Sequence, residues 1–202
     1  MSRRAWLGTT LALLLVVSSA GAAAAPPELR VGWAVVPGQL TSIIFAKPEL
    51  LLHYGKSYTV QLIHFRGSAP QITALAAGEL DIAALAFSSF GLAIQNAHMD
   101  DLRAIGDLYQ DGIDDYYANE YLVRTDSPIR KVEDLKGKVL ATNGIGGAVD
   151  MALRKILRDH GMEDRRDYQI VEIQFPNMAP ALEEKKVDLA GMVMPFTMTA
   201  KK

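Results

Sequence analysis

Short apolar runs alternate along the chain with longer stretches whose apolar positions recur at helical spacing. That is the pattern of a mainly parallel sheet flanked by helices. It predicts a strand over Leu29–Ala34, a turn at Pro37-Gly38, and a helix from Thr41 to Tyr54 that Pro48 interrupts and Gly55 closes. A second strand is expected at Tyr58–Phe65. Ser68-Ala-Pro-Gln71 has capping-box spacing and opens a helix that Gly78 ends. Strands are expected at Leu80–Ala86 and Leu102–Asp107, with a helix from Ser88 to about Ala97 between them. From Lys138 the same order returns, with strand Lys138–Thr142, turn Asn143–Gly147, and helix Ala148–His160 closed by Gly161. In that helix Val149, Ala152, Leu153, Ile156, Leu157 and His160 share one face, with Asp150, Arg154, Lys155 and Arg158 opposite. Strand Tyr168–Ile173, helix Met178–Lys185 and strand Val187–Met194 follow.

The two runs share residues as well as order. Tyr58-Thr-Val-Gln-Leu-Ile-His-Phe65 parallels Tyr168-Gln-Ile-Val-Glu-Ile-Gln-Phe175. Ala74-Leu75 and Leu80-Asp81-Ile82-Ala83 parallel Ala181-Leu182 and Val187-Asp188-Leu189-Ala190 at the same separation. Any two βαβ units resemble each other to a degree, because both need aliphatic strands and small residues at close contacts. The shared residues point further, to two equivalent βαβαβ lobes joined by Asp107–Val132. The expected division is lobe 1 over residues 25–112, a connection over 113–132, and lobe 2 over 133–202.

Ahead of the first strand lie Arg3-Arg4, an apolar run Leu11–Val17 and the small residues Ser18–Ala25, the layout of an export signal peptide. Ala22 and Ala24 suit cleavage after Ala24, so residues 1–24 are expected to be removed. Ser2-Arg3-Arg4-Ala5-Trp6-Leu7 resembles a twin-arginine signal, but paired arginines also occur in Sec signals, and both routes stay open. Composition narrows the picture further. With 50% hydrophobic residues among 202, the chain can build an ordered core and is no disordered tail. Its 21 basic residues are outnumbered by 23 acidic ones, which argues against a nucleic-acid binder acting through bulk charge. The absence of cysteine excludes disulfides, thiolate metal sites, a cysteine nucleophile and a lipid-anchoring cysteine.

In open α/β sheets ligands bind beyond the carboxyl ends of the strands, where the next helix presents unpaired N–H groups. Two lobes facing each other would form a cleft able to close on a solute. The strand-to-helix corners of the first lobe offer Gln39, Ser68, Phe87, Ser88 and Ser89, and those of the second offer Asn143, Gly144, Ile145, Gly146, Pro195 and Phe196. Each alone has a plainer explanation: serine before a helix caps it, and glycine in a turn supplies positive φ. Their convergence on one cleft is what makes them ligand-binding candidates. Tyr116, Tyr117 and Asn119 could reach the cleft or pack on a hydrated loop, and Trp33 could be core or cleft floor. Gly144-Ile-Gly146 lacks the third glycine of a dinucleotide loop, since Val149 stands there. His53, His64, His98 and His160 are scattered, and neither a nucleophile elbow nor a Walker loop occurs. No catalytic residue, metal or cofactor is expected.

Arg30-Val-Gly-Trp33, Gly67-Ser-Ala-Pro-Gln-Ile72, Ala76-Ala-Gly-Glu-Leu-Asp-Ile-Ala83 and Val132-Glu-Asp-Leu-Lys-Gly-Lys138 carry a resemblance to a known family. Over about Leu29 to Phe196 the chain resembles the periplasmic substrate-binding proteins of ABC importers, in the nitrate/sulfonate/taurine (SsuA/TauA-like, NMT1/THI5-like) branch. The resemblance implies a two-lobed type II periplasmic-binding-protein fold, α/β, with mixed but mainly parallel sheets flanked by helices. It also implies ligand capture between lobes and docking on an inner-membrane ABC permease, by a monomer. Ser88-Ser89, Asn143–Gly147 and Pro195-Phe196 fall at the family's ligand-contacting corners. Members continue well past Phe196, so the second lobe is expected to be incomplete here. The implied ligand is a small organic anion such as a sulfonate, or a related polar or aromatic solute. The glycine corners carry no strong basic residue, although Arg66 lies beside one, which disfavours a bare dianion. The alternatives are a pyrimidine-precursor synthase-like enzyme of the same family and an exported sensor domain that binds a partner protein. The synthase branch is associated with a cysteine-bearing motif, which this chain lacks.

Overall fold

The computed structural model describes residues 24–35, 39, 41–108 and 110–201. The export segment, apart from Ala24, and the turn at Pro37-Gly38 lie outside the described residues. The first half of the chain forms Glu28–Trp33 (β1), Thr41–Phe45 (α1), Thr59–His64 (β2), Ser68–Ala76 (α2), Ile82–Ala83 (β3) and Phe87–Ala97 (α3). Its strands make a parallel three-stranded sheet in the order β2-β1-β3. The second half forms Asn119–Leu122 (β4), Val139–Thr142 (β5), Ala148–Asp159 (α4), Gln169–Glu172 (β6), Phe175–Glu183 (α5), Leu189–Val193 (β7) and Phe196–Ala200 (α6). Its four-stranded sheet has the order β4-β7-β5-β6, parallel except for β4 against β7.

The repeat in the sequence has a physical cause. Asp81 Oδ2 accepts the Arg30 N–H at 2.8 Å, and Asp188 Oδ2 accepts the Val139 N–H at 3.0 Å. Each aspartate thereby anchors a strand that is internal to its sheet, at the third residue of β1 and the first of β5. Asp81 N–H returns a bond to the Arg30 carbonyl, and Asp188 N–H to the Val139 carbonyl. The tyrosines also correspond: Tyr58 bridges Tyr54, and Tyr168 bridges Asp164, both in parallel sense.

Alternation along the strands of the second sheet puts helices on both faces. Leu140 and Leu189 pack with Leu153 and Leu157 of α4, while Ala141, Ala190 and Met192 pack with Met178 and Leu182 of α5. Gly191 lets α4 lie close, since a Cβ there would stand 2.4 Å from Val149 Cγ1.

Several expectations are corrected. Leu102–Asp107 is irregular rather than a strand: it pairs with no described strand, and Ile105 is 78% exposed. The expected strand Leu80–Ala86 shortens to β3 for the same want of a second partner. The helix from Thr41 stops at Phe45 and resumes as one 3₁₀ turn, Pro48–Leu50, because the residue before a proline is driven out of helical geometry. β4 lies inside the expected connection, where Asn119-Glu-Tyr-Leu122 gains strand geometry by pairing with β7. α5 begins at Phe175, ahead of Met178, with Pro176 in the first turn where its missing N–H costs nothing. Asp150, expected on the polar face of α4, is buried, and Ala152, expected on the apolar face, is exposed.

Candidate functional site

Strand-to-helix corners at the carboxyl ends of parallel strands in the two sheets together line two hollows. The larger, about 550 Å³, is lined by Ala86, Phe87 and Ser88 at the start of α3 and by Ala148, Val149, Met151 and Ala152 at the start of α4. Asp111, Asn119 and Tyr121 complete it. The smaller, about 180 Å³, lies between Arg66–Pro70, leading into α2, and the Asn143–Gly147 turn with Glu172 at the end of β6. Asn143 Nδ2 donates to the Arg66 carbonyl at 3.4 Å, a direct bond across the gap.

The first-sheet corners are tied to one another. Gln71, fully buried, donates through Nε2 to the carbonyls of Gly67 and Ala84 and accepts the Ala84 N–H on Oε1 at 3.0 Å. Ser68 Oγ accepts the Ala86 N–H at 3.1 Å. The expected capping box does not form: Ser68 reaches the strand-to-α3 connection, and Gln71 bridges that connection to the Gly67 carbonyl at the start of α2. These bonds tie the start of α2 to the start of α3.

The glycine turn of the second sheet is held by carboxylates. Gly146, at φ +78°, donates its N–H to Asp150 Oδ2 at 2.8 Å. Asp150 also accepts Arg154 Nε at 2.9 Å, and Arg154 Nη1 reaches Asp164 at 2.7 Å. Ile145 donates its N–H to Glu172 Oε1 at 2.7 Å. Two of the amides expected to bind a ligand are thus already engaged. Tyr121 donates its hydroxyl to the Val149 carbonyl at 2.7 Å. Burial, reinforced by Asp150, pushes its phenol above the ordinary range, so it remains a protonated donor.

Of the residues singled out from the sequence, Phe87 and Ser88 line the larger hollow, and Ser68, Asn143, Gly144 and Ile145 the smaller. Phe87 is 90% exposed at the mouth, an apolar ring with nothing yet packed on it. The others lie elsewhere. Gln39 is buried, its Oε1 accepting the Ala34 and Val35 N–H groups behind β1. Ser89 is fully buried, and its hydroxyl has no partner among the described residues. Gly146 is turned toward Asp150. Pro195 precedes α6, and Phe196 stacks on Phe175 at 5.9 Å between ring centres. Tyr116 and Tyr117 are exposed, whereas Asn119 does reach the larger hollow; Trp33 packs on His64. Tyr121, Asp111 and Glu172 escaped the sequence reading. The one signal for Glu172 was its place at the carboxyl end of a strand, where a side chain meets the ligand crevice.

The alkanesulfonate-binding protein SsuA from Xanthomonas axonopodis pv. citri, solved bound to MOPS, superposes with a TM-score of 0.65 at 25% identity. That match covers 87% of this chain and 57% of the other. The periplasmic aliphatic sulphonate binding protein SsuA from Escherichia coli gives 0.58 at 22% identity, with 87% and 54% covered. The periplasmic nitrate-binding protein NrtA from Synechocystis PCC 6803 gives 0.63 at 14% identity, with 87% and 49% covered. The chain therefore spans between about half and three-fifths of the length of these structures, whose periplasmic-binding-protein fold it shares. No curated protein sequence matches it. The NMT1/THI5-like family profile matches residues 59–201, and the chain belongs to that family.

Proposed function

We propose that this chain is an exported solute receptor of an ABC importer, holding a small organic solute with an anionic head, such as a sulfonate, between its two sheets. The observation that carries the reading is that each hollow is lined from both sheets at once, by the starts of α3 and α4 in one and by Arg66–Pro70 and Asn143–Gly147 in the other. In the larger hollow the opening turns of two helices present N–H groups without intrahelical partners, and their dipoles favour negative charge. Ser88 adds a side-chain donor, the Asn119 amide being engaged with Asp111, and Phe87, Val149 and Met151 supply apolar wall. Closing the gap would bury the exposed Phe87 ring, worth about 1.5–3 kcal/mol, and so couple domain closure to ligand capture. The lobes are assigned to residues 25–112 and 133–202, with β4 of the connection completing the second sheet. The receptor acts in the periplasm as a monomer after removal of residues 1–24, and hands its solute to an inner-membrane permease. The sulfonate- and nitrate-binding proteins that share its fold support the receptor role over catalysis.

The test is a thermal-shift screen of the purified chain against alkanesulfonates, nitrate, aromatic acids and pyrimidines. A shift with at least one solute is expected, reduced by Ser88→Ala or Asn143→Ala. A folded chain that responds to none of them would refute the reading and favour a partner-binding sensor.

A further inference from the structure

The chain has four asparagines, and three are fixed in regular structure with a residue bearing a side chain after them. Asn96-Ala97 ends α3, Asn119-Glu120 opens β4, and Asn177-Met178 lies in the first turn of α5. Asn143 differs on both counts: it stands in the turn between β5 and α4, and Gly144 follows it. The amides of that turn are not equivalent. Ile145 N–H is held by Glu172 at 2.7 Å, Gly146 N–H by Asp150 at 2.8 Å, and Gly147 N–H by the Gly144 carbonyl at 3.1 Å. Among the described residues the Gly144 N–H, alone of the four, has no acceptor. A Cβ on Gly144 would meet nothing within 4 Å, so its nitrogen stands in open space. The Asn143 amide is loosely held, its bond from Nδ2 to the Arg66 carbonyl being 3.4 Å long. An unengaged backbone nitrogen, uncrowded by a Cβ, beside an asparagine side chain is the nucleophile that deamidation needs.

We propose that Asn143-Gly144 is a site of spontaneous modification that charges the corner between the two sheets. The Gly144 nitrogen gives its proton to hydroxide and attacks Asn143 Cγ. The N–Cγ bond forms, the Cγ–Nδ2 bond breaks, and Nδ2 leaves as ammonia with a proton from water. Water then opens the cyclic imide at either carbonyl, leaving aspartate or isoaspartate. Water enters, ammonia leaves, and nothing is oxidised or reduced. The surroundings give the change its effect. The charged side chains of the smaller hollow, Arg66 and Glu172, are of opposite sign and cancel, so a new carboxylate leaves it net negative. The same carboxylate replaces the donor to the Arg66 carbonyl by an acceptor, which breaks the bond across the gap. Isoaspartate also lengthens the backbone of a turn whose next two amides are pinned by Glu172 and Asp150. An anionic solute then meets a repelling corner, and the modified receptor is retired. That effect on solute rests on the receptor reading; the modification itself does not.

The test holds the folded chain, and the same chain in urea, at physiological temperature and mildly alkaline pH, and follows tryptic peptides by mass spectrometry. The peptide Val139–Arg154 contains Asn143 and no other asparagine. It is expected to convert to the acid in both samples, while the peptides carrying Asn96, Asn119 and Asn177 stay as amides in the folded one. Gly144→Ala, whose methyl has open space, crowds the attacking nitrogen and should lose most of the conversion. Conversion in urea but not in the folded chain would show that the turn protects Asn143 and would overturn the proposal. Conversion of Gly144→Ala at the wild-type rate would overturn it as well. Aged wild type and fresh Asn143→Asp should both lose most of the thermal shift given by propanesulfonate, and aged Gly144→Ala should keep it. An unchanged shift in Asn143→Asp would overturn the effect on solute. A chain that answers no solute would sink the receptor reading, while the mass measurement still decides the modification.

Discussion

Replacing Asp150 by alanine removes the carboxylate that supports the glycine turn from beneath. Asp150 is 1% exposed and accepts the Gly146 N–H at 2.8 Å together with Arg154 Nε at 2.9 and 3.0 Å. Without it the Gly146 N–H has no acceptor in the turn, while Arg154 keeps Asp164 at 2.7 Å. The full penalty of a broken buried pair, about 3–5 kcal/mol, is therefore not reached. Hydrogen bonds to charged groups contribute about 1.5–3 kcal/mol each, and one is lost outright while the other is partly replaced. We expect Asp150→Ala to cost about 3 kcal/mol and Asp150→Asn, which keeps an acceptor for Gly146 but not the charge, about 1.5 kcal/mol. Urea unfolding followed by circular dichroism measures both, with an unchanged denaturant slope marking a true stability effect. A cost below about 1 kcal/mol for the alanine variant, no more than a surface ion pair supplies, would refute the argument.

Gln71→Leu should destabilise by about 3 kcal/mol, since the Ala84 carbonyl loses its buried donor while the Ala84 N–H keeps only Gly32; a melting curve close to wild type would count against the tie between α2 and α3. Gly191→Ala should cost about 2–3 kcal/mol by overpacking, because its Cβ would meet Val149 at 2.4 Å and Tyr121 at 2.9 Å. Both neighbours line the larger hollow, so solute binding should weaken in the same variant. Acid should destabilise the fold through Asp81 and Asp167. The Arg30 and Arg166 side chains hold these carboxyls down to about 2 from an ordinary 3.8. The unfolded chain binds more protons between those values, so stability present above pH 4 is lost as pH falls toward 2. An Asp81→Asn, Asp167→Asn double variant should unfold with a flatter dependence across that window, and an unchanged slope would sink the assignment.

Much of the architecture was legible before any coordinates. The paired aspartates at 81 and 188 recur because each accepts a backbone N–H of an internal strand, and a local need of that kind leaves a local mark. Gly55, Gly78, Gly146 and Gly161 all adopt positive φ at the turns where they were expected, as backbone sterics require of a tight corner. What the chain could not announce were contacts made across it. Asn119–Leu122 is a strand only because β7 stands beside it, and Leu102–Asp107, apolar enough to be one, has no partner. Ser68 and Gln71 match a helix cap in spacing, yet both also bond a segment distant in sequence, at Ala86 and Ala84. Asp150 and Glu172 look like solvent-facing acids until folding brings amides of the glycine turn to them. Periodicity and turn chemistry act over a few residues and were written in the sequence. The pairing of strands, the burial of a charge and the filling of an amide depend on which distant groups arrive, and only the tertiary structure decided those.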